Sequence, residues 1–197
     1  DAITTITMDR PERRNALSFA HIEELIDALG AIAKSDARAV VLAANGPVFC
    51  AGHDYGDMVE RDLQGFRELF ARCAEMMTLV QSIPQPIVAS VQGIATGAGC
   101  QLVATADLAV ASEQASFATP GGRGGWFCST PMVAVSRAIG RKRALEMLHH
   151  ADATWLDEDY GPIHVRNRRA WVAQLEAERA ALQRIEGIHR GGPFASS

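Results

Sequence analysis

The chain has 197 residues, 48% of them hydrophobic, and a formal net charge of -4. A chain of this size and composition can bury its own core, which argues against disorder, and its negative charge argues against a nucleic-acid partner. No apolar run approaches the roughly 18 residues that a membrane-spanning helix needs. We therefore expect a soluble protein that binds its ligand in a pocket.

The cysteines are widely spaced and form no Cys-x-x-Cys pair: they are Cys50, Cys73, Cys100 and Cys128. This usage is typical of reduced core thiols, so we expect neither disulfides nor structural zinc. The histidines show no ligand spacing that indicates a metal site. No charged leader followed by an apolar stretch precedes the first strand, and together with the thiols this predicts a cytoplasmic protein.

The predicted elements begin with a strand over residues 3–8, which is rich in β-branched side chains and ends before Pro11. Ser18 is a suitable N-cap for the next element, a helix. Residues 39–44 are continuously apolar, as in a strand buried on both faces, which predicts helices packed over a sheet.

A long helix is predicted over residues 62–82, with an inner face composed of Phe66, Leu69, Phe70, Cys73, Met76, Met77 and Val80. The pattern continues with a strand at 87–91, a turn at 93–99, a helix at 98–106 and a strand at 107–111. This repeated strand, turn and helix predicts an α/β fold.

The pattern changes after residue 152. Residues 153–167 show little periodicity, and 168–186 predict an exposed amphipathic helix with a stripe of Trp171, Leu175, Leu182 and Ile185. We therefore divide the chain into a core at 1–152 and a helical tail at 153–197. The stripe is expected to cover a neighbouring subunit, since such a patch is unusual on a monomer.

Two tight turns carry the chemistry. In the first, Ala51 and Gly52 follow an apolar run and let the backbone curl toward a ligand, which leaves the N–H of His53 free to point inward. In the second, Ala98 opens a helix, where early N–H groups lack intrahelical partners. Two such amides can polarise one carbonyl oxygen, as an enolate reaction of a thioester requires. Tight turns that serve packing alone are the alternative.

Residues 4–17, 49–54, 91–102 and 106–111 together resemble the crotonase (enoyl-CoA hydratase/isomerase) family, over roughly residues 2–150. The variants at 51–54, 98–104 and 127–131 are most similar to its enoyl-CoA hydratase domain-containing branch. The resemblance implies a spiral of ββα repeats and a homotrimer that often pairs into a hexamer. It implies a coenzyme A thioester as ligand, no prosthetic group, and the His53 and Ala98 amides as oxyanion donors.

The resemblance also identifies two departures. Where hydratases of the family carry catalytic glutamates, this chain has Gln101 and Gly121, and neither side chain can transfer a proton. His53 and Asp54 are the candidates for a substitute base, and the Gln101 amide can orient a water molecule. We therefore expect hydratase activity to be weak or altered.

The remaining candidates are residues that would contact coenzyme A at one end of the ligand or the acyl chain at the other. Coenzyme A contacts are expected from Arg14, Ala16, Ala51, Gly52, His53 and Ala98, with Arg10 and Arg13 near its phosphates. A solvated turn is the alternative for the three arginines. Arg123 and Trp126 are candidates for the acyl pocket. Two other functions remain open: an enzyme of another enolate reaction, such as isomerisation or thioester hydrolysis, and a non-catalytic acyl-CoA-binding protein.

Overall fold

A computed structural model describes residues 2–121 and 127–150. Its strands are β1 (Ile3–Met8), β2 (Ala39–Ala44), β3 (Val48–Cys50), β4 (Ile87–Val91), β5 (Ile94–Thr96), β6 (Leu108–Ala111) and β7 (Ser116–Ala118). Its helices are α1 (Phe19–Ile32), α2 (Tyr55–Met58), α3 (Leu63–Ser82), α4 (Ala98–Thr105), α5 (Ser129–Ile139) and α6 (Arg141–His150), with a 3-10 turn at Pro11–Arg13.

The strands form two parallel sheets. One has the order β1-β2-β4-β6 and the other β3-β5-β7, so each repeat adds one strand to each sheet and then a helix. Parallel neighbours need such a crossover, because a short hairpin cannot return the chain in the same direction. The predicted α/β spiral of ββα repeats is confirmed.

The predicted N-cap at Ser18 is confirmed, and α3 also begins with a side-chain cap. The Ser18 hydroxyl accepts a hydrogen bond from the His21 N–H at the start of α1, and the Asp62 carboxylate accepts one from the Gly65 N–H at the start of α3. At the end of α3, Ile83 is extended because it precedes Pro84.

Two predictions about burial are wrong. In β2 only Val40 and Leu42 are buried, and their neighbours are half-buried, so this strand presents one face to the core. On α3, five of the seven predicted inner residues are buried, namely Leu69, Cys73, Met76, Met77 and Val80. The other two are not: Phe66 is half-buried and Phe70 is 40% exposed. The segment predicted as a turn at 93–99 also contains the short strand β5.

The proposed boundary near 152 and the tail at 153–197 lie outside the described residues, so both stay predictions. The same holds for the stripe on the Trp171 helix. Among the described helices, none combines the length and apolarity that crossing a bilayer would require.

Helix α4 packs closely against the end of β3, with almost no space between the two main chains. At Gly99 in α4, a Cβ would lie 2.8 Å from the Cβ of Cys50 in β3 and closer still to the Cys50 carbonyl oxygen. Side chains do not tolerate such a contact, so only glycine lets α4 sit against the end of β3.

We predict that Gly99→Ala lowers the free energy of unfolding by about 2–3 kcal/mol, because overpacking a core costs about 1–3 kcal/mol and this clash involves main chain. Urea denaturation measures the difference. Gly30→Ala is the matched control: nothing lies within 4 Å of its added Cβ in α1. That variant should be about 0.5–1 kcal/mol more stable, since glycine is a poor helix former. Equal effects at both sites would contradict the close contact.

Candidate functional site

The backbone around His53 is held by a parallel bridge to Leu17. The Leu17 N–H donates to the Gly52 carbonyl at 2.8 Å, and the Asp54 N–H donates to the Leu17 carbonyl at 3.1 Å. In a parallel pair, the residue between these two bonds turns its own N–H to the opposite side. Among the described residues the N–H of His53 has no acceptor.

The second turn brings Ala98 next to the first. Gly97 caps α4 with a φ of 55°, and its N–H donates to the Ala118 carbonyl at 2.9 Å. Ala98 is the first residue of α4, so its N–H has no partner within the helix. Gly52 has a φ of 86°, and a Cβ there would lie 2.9 Å from the Thr96 carbonyl oxygen and 3.3 Å from the Ala98 nitrogen. Glycine at position 52 thus allows the two turns to meet.

Both turns line one cavity of about 580 Å³, together with the start of α5. Its larger apolar side chains are Met58, Phe70, Pro120, Phe127 and Pro131. Its polar side chains are His53, Tyr55, Thr96, Cys128, Ser129 and Thr130. None of the described lining residues is Asp, Glu, Lys or Arg. The cavity is therefore suited to an uncharged, partly apolar group.

The His53 imidazole lies in the cavity wall. Its ring meets Phe70 edge to face, with 5.3 Å between centroids and planes at 90°. The Nδ1 atom is buried and has no hydrogen-bond partner among the described residues. Burial lowers the pKa of His53, while the Leu17 carbonyl and the charge of Asp57 oppose that shift. The neutral ring is thus favoured, and a neutral imidazole can accept a proton.

The two positions that lack glutamate are placed differently. Gly121 lines the cavity, and its N–H donates to the Cys128 Sγ at 3.2 Å. Gln101 lies half-buried on α4, where its Oε1 is buried without a partner among the described residues. Gln101 is not one of the residues that line the cavity. A carboxylate at position 121 would therefore have the more direct access to a ligand.

Asp54 is buried outside the cavity lining, 5% exposed. Its Oδ1 accepts from the Gly56 N–H at 3.0 Å and from Arg13 Nη2 at 2.7 Å. Burial by itself raises the pKa of Asp54. The hydrogen bond and charge of Arg13, together with the amides of Gly56 and Asp57, lower this pKa by more, so the net shift is downward. These contacts favour a structural role, and the catalytic role of Asp54 stays a prediction.

Arg14 and Ala16 contact the first turn through their main chain. The Arg14 carbonyl accepts from the Ala51 N–H at 3.1 Å, and Arg14 itself has a φ of 53° and an exposed side chain. Ala16 is buried, and its carbonyl accepts from Arg10 Nη1 at 3.2 Å. Both residues thus contribute to the geometry of the turn, while their contact with coenzyme A stays a prediction.

Asn15 is a site residue that the sequence reasoning missed. It is fully buried, with Nδ2 donating to the carbonyls of Asn45 and Val48 at 2.9 and 2.8 Å. Its Oδ1 accepts from the Arg10 N–H at 2.8 Å. The side chain thus ties the loop before α1 to both ends of the β2–β3 connection. The sequence signal that could have identified this residue is an asparagine directly after a proline turn that contains three arginines.

Other candidates find less support. Arg123 and Trp126 lie outside the described residues. His21 is buried in the first turn of α1, with Nδ1 3.1 Å from the Ala16 carbonyl oxygen. No group of three or more His, Cys, Asp or Glu residues that could hold a metal occurs in the part of the chain that the structure describes. Burial raises the pKa of Cys128, so this cavity thiol is protonated near neutral pH.

Comparison with known proteins identifies the class. Residues 1–158 match the family model described as enoyl-CoA hydratase/isomerase. The chain belongs to this family, whose fold is the crotonase fold.

Among individual proteins, the chain is similar to mouse enoyl-CoA hydratase domain-containing protein 3, mitochondrial. The two are 48% identical over 150 residues, covering 75% of this chain and 50% of the mouse protein. The chain thus spans about half the length of the curated relatives it matches.

The chain is also similar to solved crystal structures. An enoyl-CoA hydratase of Mycobacterium smegmatis has a TM-score of 0.82 and 45% identity, covering 91% of this chain and 72% of that one. The human enoyl coenzyme A hydratase domain-containing protein 3 has a TM-score of 0.79 and 40% identity, covering 93% and 73%.

The predicted cytoplasmic location is contradicted by these comparisons, because the mouse, rat and human relatives are all named as mitochondrial proteins. Unpaired cysteines led to the error. Reduced thiols show that a compartment is reducing, and they do not distinguish one reducing compartment from another.

The buried histidines predict a pH dependence of stability. Burial lowers the pKa of both His53 and His21 below the unfolded value of about 6.5. As the pH falls through about 6.5, the unfolded chain takes up protons first, so the folded state loses stability. Between about pH 7.5 and about pH 5.5, the free energy of unfolding should fall by at most about 1.4 kcal/mol per pH unit for each histidine.

Urea denaturation at both pH values measures this loss, which should be smaller in His53→Gln and in His21→Gln than in the natural chain. The chosen range lies above the titration of ordinary carboxylates, so Asp54 does not contribute. An unchanged pH dependence in His53→Gln would show that its ring titrates alike in the folded and unfolded states.

Proposed function

We propose that this protein binds acyl-CoA thioesters with the thioester carbonyl held between the backbone amides of His53 and Ala98. The observation that carries the proposal is the meeting of the two turns at one uncharged cavity, with both N–H groups lacking protein acceptors among the described residues. Rigid amides need no reorganisation when negative charge develops on a carbonyl oxygen. Membership of the enoyl-CoA hydratase/isomerase family supports the ligand class.

We further propose that hydration of enoyl-CoA is weak in this chain. Hydration needs a base to activate water and an acid to protonate the α-carbon, and each general acid or base typically contributes roughly 10²–10⁴-fold. No carboxylate lines the described part of the cavity, and Gly121 leaves one expected position without a side chain. His53 is the one titratable nitrogen base among these lining residues, and burial favours its neutral form.

Two alternatives use the same oxyanion site. His53 could support another enolate reaction, such as isomerisation or thioester hydrolysis, with the proton moving to and from its ring. A non-catalytic acyl-CoA-binding protein is favoured by the lack of carboxylates among the described residues around the cavity. Product analysis with crotonyl-CoA distinguishes hydration from both. Coenzyme A enters each proposal as part of the ligand, with no prosthetic group, and a homotrimer or hexamer is proposed from the family's habit.

We predict that Ala98→Pro weakens binding of butyryl-CoA by about tenfold or more. Proline removes the N–H, worth about 1 kcal/mol as a hydrogen bond, and its ring projects into the space that the carbonyl oxygen would occupy. Position 98 is the first of α4, where helices accept proline, so the fold should survive. Ala98→Gly, which keeps the N–H, is the matched control in titration calorimetry.

The outcome of that titration is decisive in both directions. Binding that Ala98→Gly preserves and Ala98→Pro loses would support the carbonyl contact. A folded natural chain that binds no butyryl-CoA would overturn the oxyanion assignment, and equal affinities of the two variants would remove Ala98 from it.

A second test restores the missing carboxylates. We predict that Gly121→Glu combined with Gln101→Glu raises the rate of crotonyl-CoA hydration by at least about 100-fold. Gly121→Glu alone should give most of the gain, since Gly121 lines the cavity and Gln101 does not. Gly121→Gln adds similar bulk without a proton-transferring group and serves as control. A natural-chain kcat/KM of about 10⁴ M⁻¹s⁻¹ or more would contradict the proposed weak activity.

A further inference from the structure

Phe70 is exposed where an apolar ring would normally be covered. It lies on α3, whose neighbouring residue Leu69 is completely buried, yet the Phe70 ring is 40% exposed and lines the cavity. It is the one residue of α3 in the described lining. Exposed aromatic surface in a cavity favours an apolar ligand, because covering the ring removes that surface from water.

The position of Phe70 relative to His53 indicates which part of the ligand it would meet. The two rings are in edge contact at 5.3 Å, and His53 is the residue whose amide is proposed to hold the thioester carbonyl. A side chain that contacts the His53 ring in the cavity wall lies near the position where the atoms next to that carbonyl would be placed. The role inferred for Phe70 therefore rests on the proposed function.

A second aromatic ring supports Phe70 from behind. Phe66, one turn earlier on α3, stacks on Phe70 with 6.2 Å between centroids and an interplanar angle of 22°. Phe66 is half-buried and does not line the cavity. Phe66 thus packs beside Phe70 without itself reaching a ligand in the described part of the cavity.

We propose that Phe70 is a specificity-determining residue, which forms the apolar wall for the first few carbons of the acyl chain. Met58 and Phe127 continue this apolar lining. The substrate class that fits is a thioester whose acyl chain is apolar beyond the carbonyl and more than two carbons long. A charged group at the same carbons would be desolvated without a countercharge among the described lining residues.

The test measures dissociation constants of acetyl-, butyryl-, hexanoyl- and decanoyl-CoA by titration calorimetry. In the natural chain, affinity should rise by about fourfold per methylene between acetyl- and hexanoyl-CoA, the value expected for burying a CH₂ group. In Phe70→Ala, hexanoyl-CoA should bind about tenfold or more weakly, with a loss of less than about twofold for acetyl-CoA. Decanoyl-CoA should lose about as much as hexanoyl-CoA, because the carbons beyond the wall are unaffected.

Phe66→Ala is the matched control, since it removes the same side chain from the same helix without opening the cavity. Its chain-length profile should remain parallel to that of the natural chain. Phe70→Leu keeps an apolar side chain and serves if Phe70→Ala does not fold, as judged by circular dichroism. It should give an intermediate loss for hexanoyl-CoA.

Two results would overturn the inference while leaving the proposed function intact. One is equal weakening of acetyl- and hexanoyl-CoA in Phe70→Ala, and the other is a Phe66→Ala profile that matches that of Phe70→Ala. A natural chain that binds none of the four thioesters would instead overturn both the inference and the proposed function.

Discussion

Everything at the site depends on the close backbone contact between the two turns. Gly52 lies so near Thr96 and Ala98 that any side chain would push the turns apart, and Gly99 lies closer still to Cys50. Glycine at both positions leaves the space that this contact requires, although glycine loses more conformational entropy on folding than other residues do. His53 and Ala98, which belong to separate repeats of the fold, consequently line the same cavity.

A second set of contacts keeps the first turn in place from the opposite side. Asn15 bonds to both ends of the β2–β3 connection, and the Leu17 bridge fixes the direction of the peptide at His53. Arg13 and the helix N-terminus at Gly56 hold Asp54 directly after it. The buried side chains of Asn15 and Asp54 each have their own hydrogen-bond partners. They can therefore fix the conformation of this turn without leaving a buried polar group or charge unpaired.

The long elements were predictable because their signals are local. Strand β1 and the Ser18 cap of α1 follow from β-branched runs and a hydroxyl at the right position, and the end of α3 follows from Pro84. The short strands β5 and β7 have three residues each, too few to show a period, and their pairing comes from the parallel neighbour. Sequence could name the turns at His53 and Ala98, since glycine and helix starts are visible in it.

Side-chain placement was less predictable. Phe70 has the helical spacing of a core residue, and only the cavity beside α3 distinguishes it from Leu69. Asp54 follows a candidate oxyanion donor, which suggested catalysis, but an arginine 41 residues earlier in the chain occupies its carboxylate. The environments of Phe70 and Asp54 both depend on residues distant in the sequence, so no local sequence pattern predicts them.

The parallel bridge at Leu17 and the helix start at Ala98 have a consequence for how such proteins diverge. Both amides belong to the main chain, so a substitution that leaves the backbone unchanged keeps them whatever side chain it introduces. The capacity to bind a carbonyl oxygen and the capacity to transfer protons can therefore change independently during evolution. The first capacity depends on the glycines and turns that position the backbone. The second rests on a few interchangeable positions, and a descendant can keep its ancestor's likeness long after its chemistry has changed.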